Sequence, residues 1–186
     1  MKRIPLTHGL FALVSDCDYG FLKQWNWHAD KGRPFTTWYA RRSSIPQVRM
    51  HTLLGRERLK HREGTDHVDH DGLNNQRGNL RPATGSQSSR NRRSFKNNKS
   101  DYKGVSEFKQ HKKWRADIGN DDKVIYLGYF PKTAAGKLVA AYAYTVAAAR
   151  VFKKFASFVP VDHLLDNPIK KRIKQDVLQR LRKHGL

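Results

Sequence analysis

The chain has 186 residues, 38% of them hydrophobic, and a mean hydropathy of −0.80, which together fit one or two small folded domains with much polar surface. Lys and Arg outnumber Asp and Glu by 37 to 16, and this net charge of +21 runs through the whole chain, which argues against a membrane-surface peptide and indicates a polyanionic partner, most simply nucleic acid. A single cysteine excludes an internal disulfide and a Cys-x-x-Cys zinc knuckle, and no stretch approaches the roughly 20 apolar residues of a membrane span.

The N-terminal third carries short apolar stretches. The sequence predicts one or two strands over residues 4–14 with a turn at His8-Gly9, a short helix over 18–27, and a strand or short helix over 48–54. The apolar run at 10–14 is too short for a signal peptide, so a cytoplasmic protein is expected. The tryptophans of this region are Trp25, Trp27 and Trp38. They could stack on bases, but they are interleaved with other apolar residues, which favours a role in the core.

The segment Gly64–Arg81 concentrates side chains that suit hard-metal chemistry on a phosphate, with three aspartates, two histidines and three asparagines. Carboxylate and amide oxygens suit Mg²⁺, which keeps several waters for the substrate to displace. An imidazole with a pKa near neutrality can take a proton from an attacking water. The pattern favours a site carried on a hairpin and the start of a helix. A turn of solvated polar groups and a zinc site remain open alternatives. The zinc ligands would be His61, His67 and His70.

Residues 86–100 are strongly basic and have one large apolar side chain, Phe95. Such a run cannot bury enough apolar surface to fold alone, so it predicts a linker. A solvated linker and a linker laid along DNA phosphates are both open, and the second is preferred because it would join two parts that both contact DNA. Its cations are Arg90, Arg92, Arg93, Lys96 and Lys99.

The next segment changes to the period of strands. Three strand-like runs, 102–108, 113–118 and 124–127, are separated by turn signals. Apolar and charged residues alternate in the second run, which predicts a sheet with one apolar and one cationic face. Thr133 is the predicted N-cap of a long helix over 134–152 that would cover the apolar face.

Asp66-His67 is followed by Asn75, eight residues after the histidine, and then by Asn79-Leu80-Arg81. This pattern resembles the signature of HNH endonucleases of the phage and intron homing type. The likeness extends upstream, through Ile4–Thr7, Ala12–Val14, Trp27, Tyr39–Arg42 and Met50-His51. Downstream, three further motifs are Tyr102–Val105, Trp114–Ile118 and Tyr126–Phe130. They resemble the Apetala-two-type DNA-binding domain that is commonly fused behind these nucleases.

The resemblance implies a ββα-metal site, in which a hairpin and the following helix hold one divalent cation, Mg²⁺ or Mn²⁺. Asp66 and Asn79 would be the metal ligands. His67 would be the general base, and Asn75 would orient it. Asp69-His70 is a second Asp-His pair, so the choice between the two pairs stays open. Asp66-His67 is preferred because the eight residues from His67 to Asn75 leave room for a hairpin turn. Asn75 and Asn79 would then lie one turn apart on the following helix. Further site candidates are His70 and His51.

In the C-terminal domain the resemblance implies that the outer sheet face lies in the major groove of double-stranded DNA. Arg115 or Lys103 would read guanine edges, and the remaining cations would bind phosphates. Ser106 and Glu107 stand where such domains often carry arginine, so the first strand departs from the pattern. The expected DNA-binding residues are Arg81, Arg90, Arg92, Arg93, Lys103, Lys113, Arg115 and Tyr126.

These observations predict an α+β protein with an HNH nuclease domain at 1–85, a basic linker at 86–100, a three-stranded antiparallel sheet on one helix at 101–160, and a basic helix at 161–186. For the last helix, docking on the protein and contact with DNA are both open. The expected function is metal-dependent hydrolysis of DNA phosphodiesters by a monomer, in the host cell of a phage or mobile element. Two alternatives remain: a DNA-binding regulator with a vestigial nuclease module, and an RNA-binding structural protein.

Overall fold

Residues 1–31, 37–43, 47–95, 97–121 and 123–186 are described by a computed structural model. Its mixture of helices and strands confirms the α+β class. The chain divides into two compact units, residues 1–89 and 90–186. Lys96 of the predicted linker lies outside the described residues. No helix in the described ranges combines the length and apolar character that crossing a membrane requires.

The first unit alternates short strands with short helices. Its strands are β1 (Lys2–Pro5), β2 (Phe11–Val14), β3 (Trp27–Asp30), β4 (Tyr39–Arg42), β5 (Val48–Arg49), β6 (Thr65–His67), β7 (Asn74–Asn75) and β8 (Leu80–Pro82). Its helices are α1 (Asp16–Leu22), α2 (Met50–Glu57) and α3 (Gly85–Asn91), the last of which ends at the start of the second unit. They build the sheets β1-β2-β7 and β3-β4-β5 and the pair β6-β8.

The core of the first unit lies between α1, α2 and these sheets. Fully buried apolar side chains from each element meet there, including Val14, Leu22 and Leu54. Trp27 is 6% exposed, and its indole nitrogen donates to the carbonyl oxygen of Leu22 at 2.9 Å, which confirms its role in the core. The predicted strands at 4–14 are confirmed as β1 and β2, and the ambiguous segment 48–54 contains both a strand and a helix.

The helix predicted to carry Asn75 and Asn79 does not form there. Asn75 ends β7, which pairs in parallel with β2, and Asn79 closes a short 3-10 turn. β8 follows at once and pairs antiparallel with β6, so that His67 lies opposite Leu80. Because both flanks of this segment are committed to strand pairing, tertiary contacts override the helical spacing of the two asparagines.

The helix instead begins at Gly85, one residue before the segment predicted as a linker. The Oγ1 of Thr84 accepts from the Gln87 backbone nitrogen at 3.1 Å, and the Gln87 side chain accepts from the Thr84 backbone nitrogen at 2.9 Å. This reciprocal pair is a capping box, which starts α3 at Gly85. The first part of the predicted linker is therefore helical.

The second unit is an antiparallel sheet covered by helices, as predicted. Its strands are β9 (Val105–Phe108), β10 (Lys113–Asn120) and β11 (Lys123–Pro131), in the order β11-β10-β9. Its helices are α4 (Ala134–Phe152) and α5 (Asn167–Arg182). The Thr133 hydroxyl accepts from the Gly136 backbone nitrogen at 3.0 Å, which confirms the N-cap. Buried alanines of α4 pack on the inner sheet face, where Ala116 and Ile118 are almost fully buried.

A substitution at Gly104 tests the packing of the second unit. Its φ is +69°, and a Cβ there would clash with the Tyr144 ring and come within 2.7 Å of the Asp117 carbonyl oxygen. Gly104→Ala is expected to destabilise this unit by about 2–4 kcal/mol, measured by hydrogen exchange of the β10 amides. Gly119→Ala is the matched control, because nothing lies within 4 Å of a Cβ there. Equal protection in the two variants would contradict the prediction.

Candidate functional site

The motif segment forms a two-stranded hairpin with a helix after it. β6 pairs antiparallel with β8, and α3 begins three residues after β8 ends. Asp66 and His67 are neighbours on β6, so their side chains point to opposite faces of the hairpin. The loop between the two strands carries the remaining polar residues of the motif.

His67 lies in a buried pocket of aromatic and polar groups. It is 6% exposed. Its ring meets the edge of His51 at a centroid distance of 4.6 Å and lies 6.0 Å from the Tyr39 ring. Contact with two rings restricts the orientation of the imidazole, which is almost fully enclosed by protein.

Asn75 fixes which nitrogen of His67 carries the proton. The Asn75 amide nitrogen donates to the carbonyl oxygens of Gly72 and Leu73, at 3.4 and 3.1 Å. Its amide oxygen therefore faces Nε2 of His67, at 3.4 Å. An amide oxygen can only accept, so Nε2 is the donor. The neutral tautomer has its basic nitrogen at Nδ1.

Burial governs the protonation of both histidines in this pocket. It lowers the pKa of His67, although the hydrogen bond to Asn75 and the nearby aspartates, Asp69 first, partly offset that effect. It lowers the pKa of His51 well below the ordinary value, with smaller contributions from the charges of His67 and Arg49. Both imidazoles are therefore neutral at pH 7. The Nδ1 of His51 is buried with no hydrogen-bond partner among the described residues.

Asp66 lies in a pair with Arg81 rather than beside Asn79. The Nε and Nη2 of Arg81 donate to one carboxylate oxygen of Asp66, at 3.1 and 3.0 Å. Both side chains are nearly buried, at 12% and 13% exposed. Arg81 was predicted to bind DNA. Its guanidinium is paired with Asp66 on the neighbouring strand.

Asn79 holds the loop between the hairpin strands. Its amide nitrogen donates to the Asp69 carboxylate and to the Asn74 carbonyl oxygen, both at 2.8 Å, and its amide oxygen accepts from the Asp69 backbone nitrogen at 3.1 Å. Asp66 and Asn79, the two predicted metal ligands, thus have different hydrogen-bond partners. Asp69 is occupied with the loop, and His70 has the left-handed φ of a turn, +67°. This geometry favours Asp66-His67 over the second Asp-His pair.

Ser88, which the sequence analysis did not single out, also contacts Asp66. It lies on α3, and its hydroxyl donates to the other carboxylate oxygen of Asp66 at 3.3 Å. The sequence signal for α3 was the Thr84–Gln87 capping box, which starts a helix directly after the hairpin. Mg²⁺ needs only one or two protein oxygens, since waters and phosphates complete its shell. The pair Asp66 and Ser88 fits that requirement, whereas the described residues contain no group of three or more His, Cys, Asp or Glu suited to a metal.

The outer face of the second unit's sheet brings together three of the predicted DNA-binding residues, Lys113, Arg115 and Tyr126. Arg115 is held by Asp117, whose carboxylate accepts from Nε and Nη2 at 2.7 Å each. Tyr126 lies 4.8 Å from the ring of Tyr129. Tyr129 in turn lies opposite Arg115 in the strand register. The face therefore combines cations with exposed aromatic rings.

Lys103 and Arg90 are not on that face. The Lys103 ammonium donates to the carbonyl oxygens of Arg90 and Arg92, at 2.5 and 2.7 Å, and burial lowers its pKa to about 8. The Arg90 guanidinium pairs with Asp121 at 2.6 Å. Both cations therefore hold the second unit together, and base reading by Lys103 is a prediction that its contacts do not support. Arg92 and Arg93 are exposed.

No protein-family model, curated protein or solved structure matches the chain. What the protein can do is therefore inferred from its own atoms. The first unit offers a buried neutral imidazole on one face of the hairpin and a carboxylate in contact with a hydroxyl on the other, and the second offers a cationic, aromatic sheet face.

Proposed function

We propose that the protein is a metal-dependent DNA endonuclease, in which the first unit hydrolyses a phosphodiester and the second binds the duplex. The observation that carries the proposal is the contact of His67 with Asn75, on the same hairpin that carries Asp66, whose carboxylate contacts Ser88 of the following helix. A positioned imidazole and a carboxylate–hydroxyl pair are the parts that hydrolysis of a phosphodiester needs.

His67 acts as the general base. Its Nε2 donates to Asn75, so Nδ1 takes the proton from the attacking water. The rings of His51 and Tyr39 keep the imidazole in place while its charge changes. A base positioned in this way contributes about 10²–10⁴ in rate.

Asp66 and Ser88 are the residues that would hold a divalent cation. Both offer hard oxygen ligands, and Arg81 fixes the carboxylate by two hydrogen bonds. When bound there, Mg²⁺ or Mn²⁺ would neutralise the negative charge that develops on the phosphate. We assign the second oxygen to Ser88 because its hydroxyl contacts the Asp66 carboxylate directly, whereas Asn79 contacts Asp69.

The second unit supplies affinity for DNA. The outer sheet face carries Lys113 and Arg115, and the Asp117 carboxylate orients the guanidinium of Arg115 before any base is met. An oriented guanidinium matches the two acceptors of a guanine edge in the major groove. Tyr126 and Tyr129 add apolar contact on the same face.

Purified full-length protein with supercoiled plasmid tests this function. With Mg²⁺ or Mn²⁺ we expect conversion to relaxed or linear DNA, and removal of the metal with a chelator should stop it. Binding without cleavage under every metal condition would contradict the proposal and leave a DNA-binding regulator. A preference for RNA over duplex DNA in a competition at fixed salt would leave an RNA-binding structural protein.

A further inference from the structure

We propose that α5 extends the nucleic-acid interface of the second unit, with one flank of the helix lying along the phosphates beside the sheet. The flank is formed by Arg172, Arg180 and Lys183, and we call it the α5 flank. The inference rests on the proposed function of the second unit, because it adds a surface to the sheet that binds the duplex.

The rotation of α5 is fixed by its apolar line. Ile173, Val177 and Leu181 are 6%, 1% and 0% exposed, and the helix packs on α4 and β11. These residues recur every four positions and define the buried side of the helix. Its charged residues therefore lie on the two flanks and the outer side of the helix. The position of each one in the sequence determines its side.

Arg180 shows which flank meets the sheet. Its guanidinium lies 5.4 Å from the centroid of the Tyr126 ring. Tyr126 belongs to the outer sheet face, where its ring contacts that of Tyr129, and Tyr129 lies opposite Arg115 in the strand register. The α5 flank is therefore continuous with the face that we propose to bind DNA.

Spacing places two more cations on the same flank. Arg172 and Lys183 are eight and three positions from Arg180, and residues three or four apart along a helix share a side. Both are exposed, as is Asp176, the acid between them. From Arg172 to Lys183 the flank spans about 16 Å at 1.5 Å per residue, which covers several phosphates of a duplex strand.

The net charge of the α5 flank favours a polyanionic backbone. It carries three cations, Arg172, Arg180 and the C-cap residue Lys183, and one acid, Asp176. A duplex carries one negative charge per about 1.7 Å of its axis, and each phosphate contact adds about 0.9 to the slope of log affinity against log salt. Three contacts from the α5 flank therefore predict a decrease of about 2–3 in that slope when they are removed.

The test compares two triple variants of the full chain that remove the same charge from α5. The flank variant is Arg172→Gln, Arg180→Gln and Lys183→Gln. The control variant changes Lys171, Lys174 and Arg182 to Gln, because these exposed residues lie on the other side of the buried line. A third variant, Lys113→Gln with Arg115→Gln, removes cations from the sheet. The affinity for a duplex of about 30 base pairs is measured over a range of salt concentrations, with the helical circular dichroism of each variant as a check on folding.

We expect the flank variant to bind about 10–10²-fold more weakly near 0.15 M salt, with the slope reduced by about 2–3. The control variant should lose much less affinity and keep most of its slope. Equal losses in the two triple variants, or none in the flank variant, would overturn the inference. If the wild-type chain does not bind the duplex, the proposed function fails. If it binds and only the sheet variant is impaired, the function stands and the role of α5 fails.

Discussion

Replacing His67 by alanine is expected to slow metal-dependent cleavage by about 10²–10⁴-fold and to leave the affinity for DNA unchanged. The loss follows from removing the imidazole that Asn75 orients through Nε2. Binding should persist because the proposed DNA contacts are in the second unit. Single-turnover cleavage of a plasmid, together with a duplex-binding assay, separates the two effects.

The matched variant for this experiment is His70→Ala, which removes an imidazole from the same loop. His70 has a left-handed backbone, and its amide donates to the His67 carbonyl oxygen at 3.4 Å. Cleavage close to that of the wild type is expected. Because His67 is buried, His67→Gln is included to keep most of the side-chain volume. Full activity in both His67 variants would remove the base assignment, and loss of activity in His70→Ala alone would transfer it to His70.

The second unit could be predicted from the sequence because its signals are local. Apolar residues alternate with charged ones along β10, and Thr133 marks the start of a helix that continues to Phe152. Strands joined by short turns pair with their neighbours in sequence, so the period of the pattern decided the sheet. The strands β10 and β11 extend further than predicted, because cross-strand pairing continues through residues that lack the alternation.

The structure of the first unit could not be predicted where paired strands are distant in sequence. β7 pairs with β2 about 60 residues earlier, which the sequence around Asn75 does not indicate. The partner of Asp66 was missed for the same reason. The sequence around Ser88 carries no signal for a site residue. Ser88 lies beside Asp66 only because the hairpin and α3 fold together. The partners of cations are equally hard to predict from the sequence. Lys103 was predicted to contact DNA, but its ammonium donates to two backbone carbonyl oxygens.

Asp18 and Arg77 form an ion pair on which the stability of the first unit should depend. The Asp18 side chain is fully buried, and Arg77 donates to its two carboxylate oxygens at 2.7 Å each. Arg58 adds a longer contact at 3.4 Å. The backbone nitrogen of Arg77 also donates to Ser15 Oγ at 3.0 Å. The pair therefore ties α1 to the turn that separates Asn75 from β8.

Arg77→Met is expected to destabilise the first unit by about 2 kcal/mol, below the range for a fully buried pair, because the Arg77 side chain is 39% exposed and Arg58 remains. The hydrogen bonds of Arg77 hold the pKa of Asp18 below its usual range. A carboxyl whose pKa is lowered by folding adds stability above about pH 4, and that stability is lost as the pH falls towards the lowered value. In the variant, Asp18 at neutral pH is a buried charge with only Arg58 as a partner, and protonation relieves its cost. The difference from the wild type should therefore shrink as the pH is lowered below about 4.

Urea denaturation of the full chain, followed by hydrogen exchange of the α1 and β2 amides, measures this difference at pH 7 and at acid pH. Arg56→Met is the matched control, because Arg56 pairs with its neighbour Glu57 on the surface, where the two side chains are 65% and 44% exposed. Such a pair contributes little, so the control should unfold like the wild type at both pH values. A loss in Arg77→Met that equals the control, or that stays constant with pH, would mean that the buried carboxylate is not what fixes α1 to the loop carrying Asn75 and Asn79. If the pair does fix it, the position of His67's partner depends on an ion pair outside the pocket, and Arg77→Met should also reduce cleavage while the outer sheet face still binds DNA.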